Sequence, residues 1–160
     1  LNDANLAFEV AKQKAEAGSD WGRFYRYQKA AQRARSLGKE EEATALYNQA
    51  IKAGLCDDPG YDGLDGGTEP DDILKWSHEF AGAKETFKIY CTLAKNPYWH
   101  QQTVEYAWKN NLKAEALEFA PKVFENLNKK GQLQKALNLA TLIGDTQKQE
   151  LYKGLLSESA

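Results

Sequence analysis

Carboxylate side chains are concentrated in one segment of the chain, residues 55–70, which reads LCDDPGYDGLDGGTEP. Its glycines and prolines exclude a continuous helix. A connection of this length is unusual inside a compact helical domain, so the segment is either a functional loop or a spacer. Calcium takes six to eight oxygen ligands, which clustered carboxylates supply. A calcium site is one hypothesis for this segment, and a solvated acidic linker whose charges cap the next helix is the other.

The order of ligands in this segment resembles the calcium-binding loop of EF-hand proteins. The matching positions are the side chains of Asp58, Asp62 and Glu69 and the carbonyl of Leu64, with Gly63 at the turn. The resemblance implies that these residues hold Ca²⁺. Gly60 stands where that family has a side-chain ligand, and Asp65 stands where it has an apolar residue.

Aromatic and arginine side chains are interleaved between residues 21 and 37. The set comprises Trp21, Phe24, Tyr25, Arg26, Arg33 and Arg35. Arginine and tyrosine are favoured interface anchors because they bury a large area and still satisfy their polar groups. One interpretation is a peptide-binding surface. The other is that Trp21, Phe24 and the nearby Tyr27 belong to the core and the arginines are solvated.

A second group of aromatic residues lies near the middle of the chain. It comprises Tyr98, Trp99, His100, Tyr106 and Trp108. Such a cluster either lines a pocket that stacks a sugar or peptide ring, or packs one helix against another.

The sequence contains few residues suited to catalysis. His78 and His100 are its only histidines, and it has no HExxH, GxSxG, P-loop or GxGxxG pattern. Cys91 and His100 would be a nucleophile and its base, but the apolar neighbours of Cys91 indicate an inert thiol. We therefore expect no enzymatic activity, with an all-helical enzyme built around the aromatic-lined pocket as an alternative.

The composition narrows the classes of partner. The 160 residues carry 21 basic and 23 acidic side chains, and the net charge of −2 provides no basic field for nucleic acid or anionic lipid. No apolar run approaches the ~20 residues that span a bilayer. We expect a protein or peptide partner, no nucleic acid and no membrane span, and the sequence indicates no compartment.

The termini and the cysteines give two smaller expectations. The chain begins at Leu1 and contains no methionine, which favours a processed chain or an excised fragment. Cys56 and Cys91 do not form a CxxC pair, so they are either idle thiols or a single disulfide.

Helical periodicity dominates the rest of the chain and predicts eight or nine antiparallel helices. The clearest pair is Ala30–Ala53, two amphipathic helices that fold back at Gly38, which can adopt the left-handed conformation. Small residues recur on one face of this pair, at Ala31, Ala34, Ala43 and Ala50, with Tyr47 beside them. Small side chains allow two helix backbones to approach closely.

This pattern resembles one tetratricopeptide repeat, and its second half also resembles the related Sel1-like repeats. The matching residues are Tyr27, Ala31, Ala34, Gly38, Ala43, Tyr47 and Ala50. In that family the first helix of each hairpin lines a concave groove for a partner. The resemblance implies that Tyr25, Gln28, Gln32 and Arg35 face such a groove, and that the chain is a protein–protein interaction module or adaptor.

The same spacing recurs less clearly in the C-terminal half. Asn111, Ala116 and Ala120, and then Gly131, Ala136 and Ala140, repeat the order of the first hairpin only 20 residues apart. A regular tetratricopeptide period is about 34 residues. We therefore expect one domain, residues 1–160, folded as an irregular right-handed αα-solenoid. The loop 55–70 would separate its helices 1–54 from its helices 71–160, and Pro121 would kink or break a helix near Phe119. The alternative function is a calcium-binding accessory domain of an enzyme complex.

Overall fold

The computed structural model describes residues 3–17, 22–55 and 68–159. Within these ranges the chain forms nine α-helices and one 3-10 turn, with no β-strand. The helices are α1 Asp3–Ala17, α2 Arg23–Ser36, α3 Glu40–Gly54, α4 Pro70–Ala81, α5 Ala83–Leu93, α6 His100–Lys109, α7 Lys113–Lys129, α8 Leu133–Ile143 and α9 Thr146–Glu158, and the 3-10 turn is Pro97–Trp99. The predicted all-α class is confirmed. None of the described helices is long and apolar enough to cross a membrane.

Helix α7 corrects one detail of the prediction. It runs without a break from Lys113 to Lys129 and includes Pro121. A proline inside a helix costs about 3 kcal/mol because it removes one backbone hydrogen bond and crowds the preceding turn. Buried residues flank Pro121 on both sides, Ala120 before it and Val123 and Phe124 after it. Their burial offsets this cost, so α7 has no break near Phe119, and the alternative outcome of a kink there stays a prediction.

The chain divides into two compact units, Leu1–Trp76 and Ser77–Ala160, here called unit 1 and unit 2. The boundary lies inside α4, not in the acidic segment 55–70. The expectation of a single domain divided at that segment stays a prediction.

Unit 1 is built around α2, which packs against α1 and α3. Its core combines fully buried alanines with large rings. The alanines are Ala15, Ala30, Ala31, Ala34, Ala43 and Ala50, and the rings are Phe8, Phe24, Tyr27, Tyr47 and Trp76. Gly54 ends α3 against the same core, where an added Cβ would lie 2.8 Å from Ile73 Cδ1 and 3.2 Å from Phe24 Cδ2. The close packing that the small residues predict is therefore present.

Four turns between helices have the same geometry. One of them turns on Gly144 (φ 72°), where the Asp145 N–H donates to the Ala140 carbonyl at 2.9 Å. The other three also share the residue type that follows them. Each turns on one residue with a positive φ, at Gly38 (73°), Asn111 (62°) and Gly131 (65°). In each, the next backbone N–H donates to a carbonyl five residues earlier: Lys39 to Ala34 (2.9 Å), Leu112 to Ala107 (2.8 Å) and Gln132 to Leu127 (2.9 Å). This is the Schellman arrangement of a helix end. Five residues after each turning position lies a fully buried alanine, Ala43, Ala116 or Ala136. The repeated spacing in the sequence therefore corresponds to a repeated structure.

Unit 2 has a more aliphatic core than unit 1. Its buried apolar residues include Val104, Leu112, Val123, Leu127, Leu139 and Ile143, with Phe124 and Tyr152 among them. Tyr152 joins α9 to the end of α7, because its hydroxyl donates to Asn128 Oδ1 at 2.9 Å. Unlike the core of unit 1, this core contains several buried polar side chains, which bear on the site below.

Candidate functional site

The four residues predicted to face a partner lie on one side of α2. Tyr25, Gln28, Gln32 and Arg35 follow each other at intervals of three, four and three residues, so they share a helix face. Gln32 is exposed, and the other three are half-buried. Arg35 forms an exposed ion pair with Glu40, with 3.3 Å between Nη2 and Oε2.

Tyr25 is also a structural contact of unit 1. Its hydroxyl donates to Asp72 Oδ2 at 2.7 Å and accepts a long bond, 3.5 Å, from the backbone N–H of Glu69. Burial and the hydrogen bond to Asp72 raise the pKa of Tyr25, so the phenol stays protonated at neutral pH. Tyr25 therefore fastens the start of α4 to α2, which leaves Gln28, Gln32 and Arg35 as the more accessible members of the predicted face.

The other residues of the aromatic and arginine set divide between core and surface. Phe24 and Tyr27 belong to the core, as the second interpretation held. Trp21 lies outside the described residues. Arg33 crosses to α1, where its Nη1 donates to the carbonyl of Ala7 at 2.7 Å.

A groove lies beside the predicted face, between α1 and α2. It has a volume of about 150 Å³ and is lined by Val10, Ala11, Lys14, Arg26, Lys29 and Arg33. Four of these six side chains are cationic, and the only apolar ones, Val10 and Ala11, come from α1. On α2 the groove residues lie roughly 110° around the helix axis from Tyr25, Gln28, Gln32 and Arg35. Sequence reasoning missed this groove, although α2 reads RFYRYQKAAQRARS, with five basic residues and no acidic one.

Three of the four predicted calcium ligands, Asp58, Asp62 and Leu64, lie outside the described residues. The fourth, Glu69, is exposed and precedes the first residue of α4. In residues 3–17, 22–55 and 68–159, no three His, Cys, Asp or Glu side chains are grouped in a way that could hold a metal ion. The calcium hypothesis stays a prediction.

Most of the second aromatic cluster is packing inside unit 2. Trp99 is buried. Tyr106 stacks on Tyr90 with ring centroids 4.6 Å apart, and its hydroxyl shares a 2.6 Å hydrogen bond with His78 Nδ1. Tyr98 is the exception, because 70% of it is exposed.

Tyr98 and His100 lie at a pocket of about 630 Å³ between the start of α6 and the turn that joins α7 to α8. Nine of the thirteen residues that line it are polar or charged, among them Gln101, Gln102, Glu105, Asn126, Lys130 and Lys135. The sequence places two of these lining residues, Tyr98 and His100, in the second aromatic cluster. Nothing in the sequence links His100 to Lys130 and Lys135, which follow it by 30 and 35 residues.

His100 is the buried polar group of this pocket. Only 6% of it is exposed, and its ring contacts Phe119 edge-on with centroids 5.7 Å apart. In the part of the chain that the structure describes, its Nδ1 has no hydrogen-bond partner. Burial lowers the pKa of His100, the Ala94 carbonyl opposes the shift, and Lys122 and Lys130 lower the pKa further. The imidazole is therefore neutral at pH 7.

Cys91 offers no support for the pairing of a nucleophile with His100. It is half-buried on α5, and burial raises the pKa of its thiol. A thiol rather than a thiolate is a poor nucleophile. Cys56 lies outside the described residues, so the choice between idle thiols and a disulfide stays a prediction.

Protein-family models, curated proteins and solved structures were compared with the chain, and none of them matches it.

Proposed function

We propose that the chain is a protein–protein interaction module and that unit 1 binds an acidic, partly apolar segment of a partner protein along α1 and α2. The observation that carries the proposal is the groove lined by Lys14, Arg26, Lys29 and Arg33, with Val10 beside them. Four cations around one groove are unexpected in a chain whose net charge is −2.

The charges on α2 favour an acidic partner over a basic or neutral one. A helix with five basic residues and no acidic one repels itself, and an acidic segment would relieve that repulsion. Complementary charges at the edge of an interface raise the association rate and exclude wrong partners, whereas apolar burial supplies more of the affinity. Val10 is 40% exposed and is the apolar anchor point available in this groove.

The face that carries Gln28, Gln32 and Arg35 extends the same binding surface. It adjoins the groove on α2, so a segment lying along α2 would contact both. We also propose that the helices form an irregular right-handed αα-solenoid related to tetratricopeptide and Sel1-like repeats. The three turns at Gly38, Asn111 and Gly131, each followed by a buried alanine, support this arrangement.

Two other functions have less support. A calcium-binding accessory domain of an enzyme complex depends on Asp58, Asp62, Leu64 and Glu69, three of which lie outside the described residues. An all-helical enzyme would need a reactive group in the pocket of unit 2, and the neutral His100 has no described nucleophile beside it. We therefore retain interaction with a protein as the proposed function.

A peptide titration tests the proposal. The probe is a fluorescent amphipathic helical peptide with leucines on one face and glutamates on the other, and its control replaces every glutamate by lysine. We expect the acidic peptide to bind and the basic one not to bind. The variant Arg26→Gln/Lys29→Gln should weaken binding at least ~10-fold, or ~1.4 kcal/mol. The matched control Lys52→Gln/Lys75→Gln removes two exposed charges of unit 1 outside the groove and should leave affinity unchanged.

Two results would overturn the proposal. Equal weakening by the groove variant and the control variant would show that binding follows net charge and not the groove. Tighter binding of a single-stranded oligonucleotide than of the acidic peptide would assign the cations to nucleic acid instead. Circular dichroism of each variant establishes that a loss of binding is not a loss of fold.

A further inference from the structure

The pocket in unit 2 has an unusual wall. Pockets for small molecules are mostly apolar with a few placed polar groups, and typical volumes are about 300–1,000 Å³. This pocket falls in that range, but nine of its thirteen lining residues are polar or charged. The other four are Pro97, Tyr98, Val123 and Leu127. Its wall suits a ligand with many hydroxyl groups better than an apolar one.

The charges in the wall favour an anion. The lining contains two lysines, Lys130 and Lys135, and one carboxylate, Glu105, so it carries one net positive charge. Both lysines are exposed, and neither is needed for the core. An exposed ammonium group attracts a carboxylate without a fixed geometry, which suits a small charged ligand at the pocket mouth.

Tyr98 supplies a flat surface at the same pocket. Its ring is 70% exposed, which is unusual for a large aromatic side chain without a partner. Trp99 holds the ring from one side in an edge-on contact with centroids 5.5 Å apart. The C–H face of a sugar ring stacks on such an aromatic surface, while Gln101, Gln102 and Asn126 can donate to and accept from its hydroxyls.

We propose that this pocket binds an acidic sugar, a hexuronate, with its ring on Tyr98, its hydroxyls on the amides of Gln101, Gln102 and Asn126, and its carboxylate at Lys130 and Lys135. Each part of the ligand matches a separate feature of the pocket: the exposed aromatic ring, the polar wall and the excess positive charge. The site lies wholly in unit 2, so it is independent of the peptide surface proposed for unit 1.

The test is a titration of the whole chain with D-glucuronate, followed by NMR. Two probes separate the contributions: D-glucose has the hydroxyls without the charge, and cyclohexanecarboxylate has the charge and ring without the hydroxyls. We expect saturable shifts at Tyr98 and His100 with glucuronate, and at least ~10-fold weaker binding of each control compound.

Variants of exposed residues keep the fold intact in this test. Tyr98→Ala and Lys130→Gln/Lys135→Gln should each weaken glucuronate binding at least ~10-fold. The matched control Lys129→Gln/Lys153→Gln removes the same charge from residues outside the pocket and should bind as well as the parent chain. The proposal is overturned if glucuronate gives no saturable shift up to about 50 mM, a weaker affinity than any specific site of this size should show. Equal binding of cyclohexanecarboxylate would also overturn it, because the site would then recognise only an anion.

Discussion

The two units differ in where they keep their polar groups. In the described part of unit 1 most buried residues are alanines and aromatic rings, joined by Leu46, Ile73 and Leu74, and Thr68 is the one buried polar side chain. Unit 2 buries four: Ser77, Thr86, His100 and Thr103. The proposal for unit 1 therefore rests on charges beside a surface groove, whereas the proposal for unit 2 rests on a cavity with a polar wall.

The buried hydroxyl groups of unit 2 form hydrogen bonds that stabilise its fold. Ser77 Oγ and Thr86 Oγ1 share a 2.8 Å hydrogen bond, and Thr103 Oγ1 donates to the carbonyl of Trp99 at 2.7 Å. The buried ring nitrogens differ, because Trp99 Nε1 and His100 Nδ1 have no hydrogen-bond partner among the described residues.

Removal of an aromatic ring from the core of unit 1 should have the largest effect. Phe24 is fully buried and meets Trp76 edge-on with centroids 5.7 Å apart. We expect Phe24→Ala to reduce the free energy of unfolding of unit 1 by ~3–5 kcal/mol because it leaves a cavity. Amide hydrogen exchange followed by NMR would measure this residue by residue. The amides of unit 2 should keep their protection against exchange. If the amides of both units lost protection to the same extent, the two units would unfold together.

An enlarged side chain at a buried alanine should have the next largest effect. Ala43 is fully buried, whereas Ala45 on the same helix is exposed. We expect Ala43→Leu to cost ~1–3 kcal/mol by overpacking, and Ala45→Leu to change stability by less than ~0.5 kcal/mol. Urea denaturation of the two variants measures the difference. Equal stabilities would show that small residues are not needed where α2 and α3 meet.

Loss of one hydroxyl from the predicted partner face tests its structural role. Tyr25→Phe removes the hydrogen bond to Asp72 and keeps the ring. We expect a loss of ~0.5–1.5 kcal/mol of stability, because the bond is partly exposed. Affinity for the acidic peptide should be unchanged. A weaker affinity with unchanged stability would mean that the hydroxyl contacts the partner and that its contact with Asp72 is incidental.

The smallest expected effect is a pH dependence confined to unit 2. Burial lowers the pKa of His100 below its ordinary value of 6.5 in the folded chain, so the unfolded chain takes up the proton first as the pH falls. The stability of unit 2 should therefore be greatest above pH 6.5 and fall as the pH drops through the folded-state pKa. Thermal melts between about pH 7 and pH 5 would measure it.

Two histidine variants check the source of this pH dependence. His100→Gln should flatten the profile in that range, and His78→Gln on exposed α4 should preserve it. An unchanged slope in the first variant would contradict the assignment to His100. Glu125 has a pKa lowered by Lys129, so its contribution is lost only at lower pH, below its ordinary value of 4.5.

The sequence predicted the helices well because helix ends and turns depend on nearby residues. The left-handed turn at Gly38 and the buried Ala43 follow from spacing along a few residues. The surfaces depend on contacts that the sequence does not display. Tyr25 contacts Asp72, which lies 47 positions later in the sequence, and His100 shares its pocket with Lys135. Sequence reasoning therefore found the helices and only two residues each of the groove and the pocket: Arg26 and Arg33 of the groove, and Tyr98 and His100 of the pocket. The remaining residues required coordinates.

The turns at Gly38, Asn111 and Gly131 also bear on how fast the chain folds. Each joins two helices that pack against each other through one left-handed residue, and in both units most packing joins helices that are adjacent in the sequence. Little chain entropy is lost when such short loops close, and domains with mainly local contacts fold in microseconds to milliseconds. Closing each hairpin therefore costs little chain entropy, and we expect both units to fold within milliseconds.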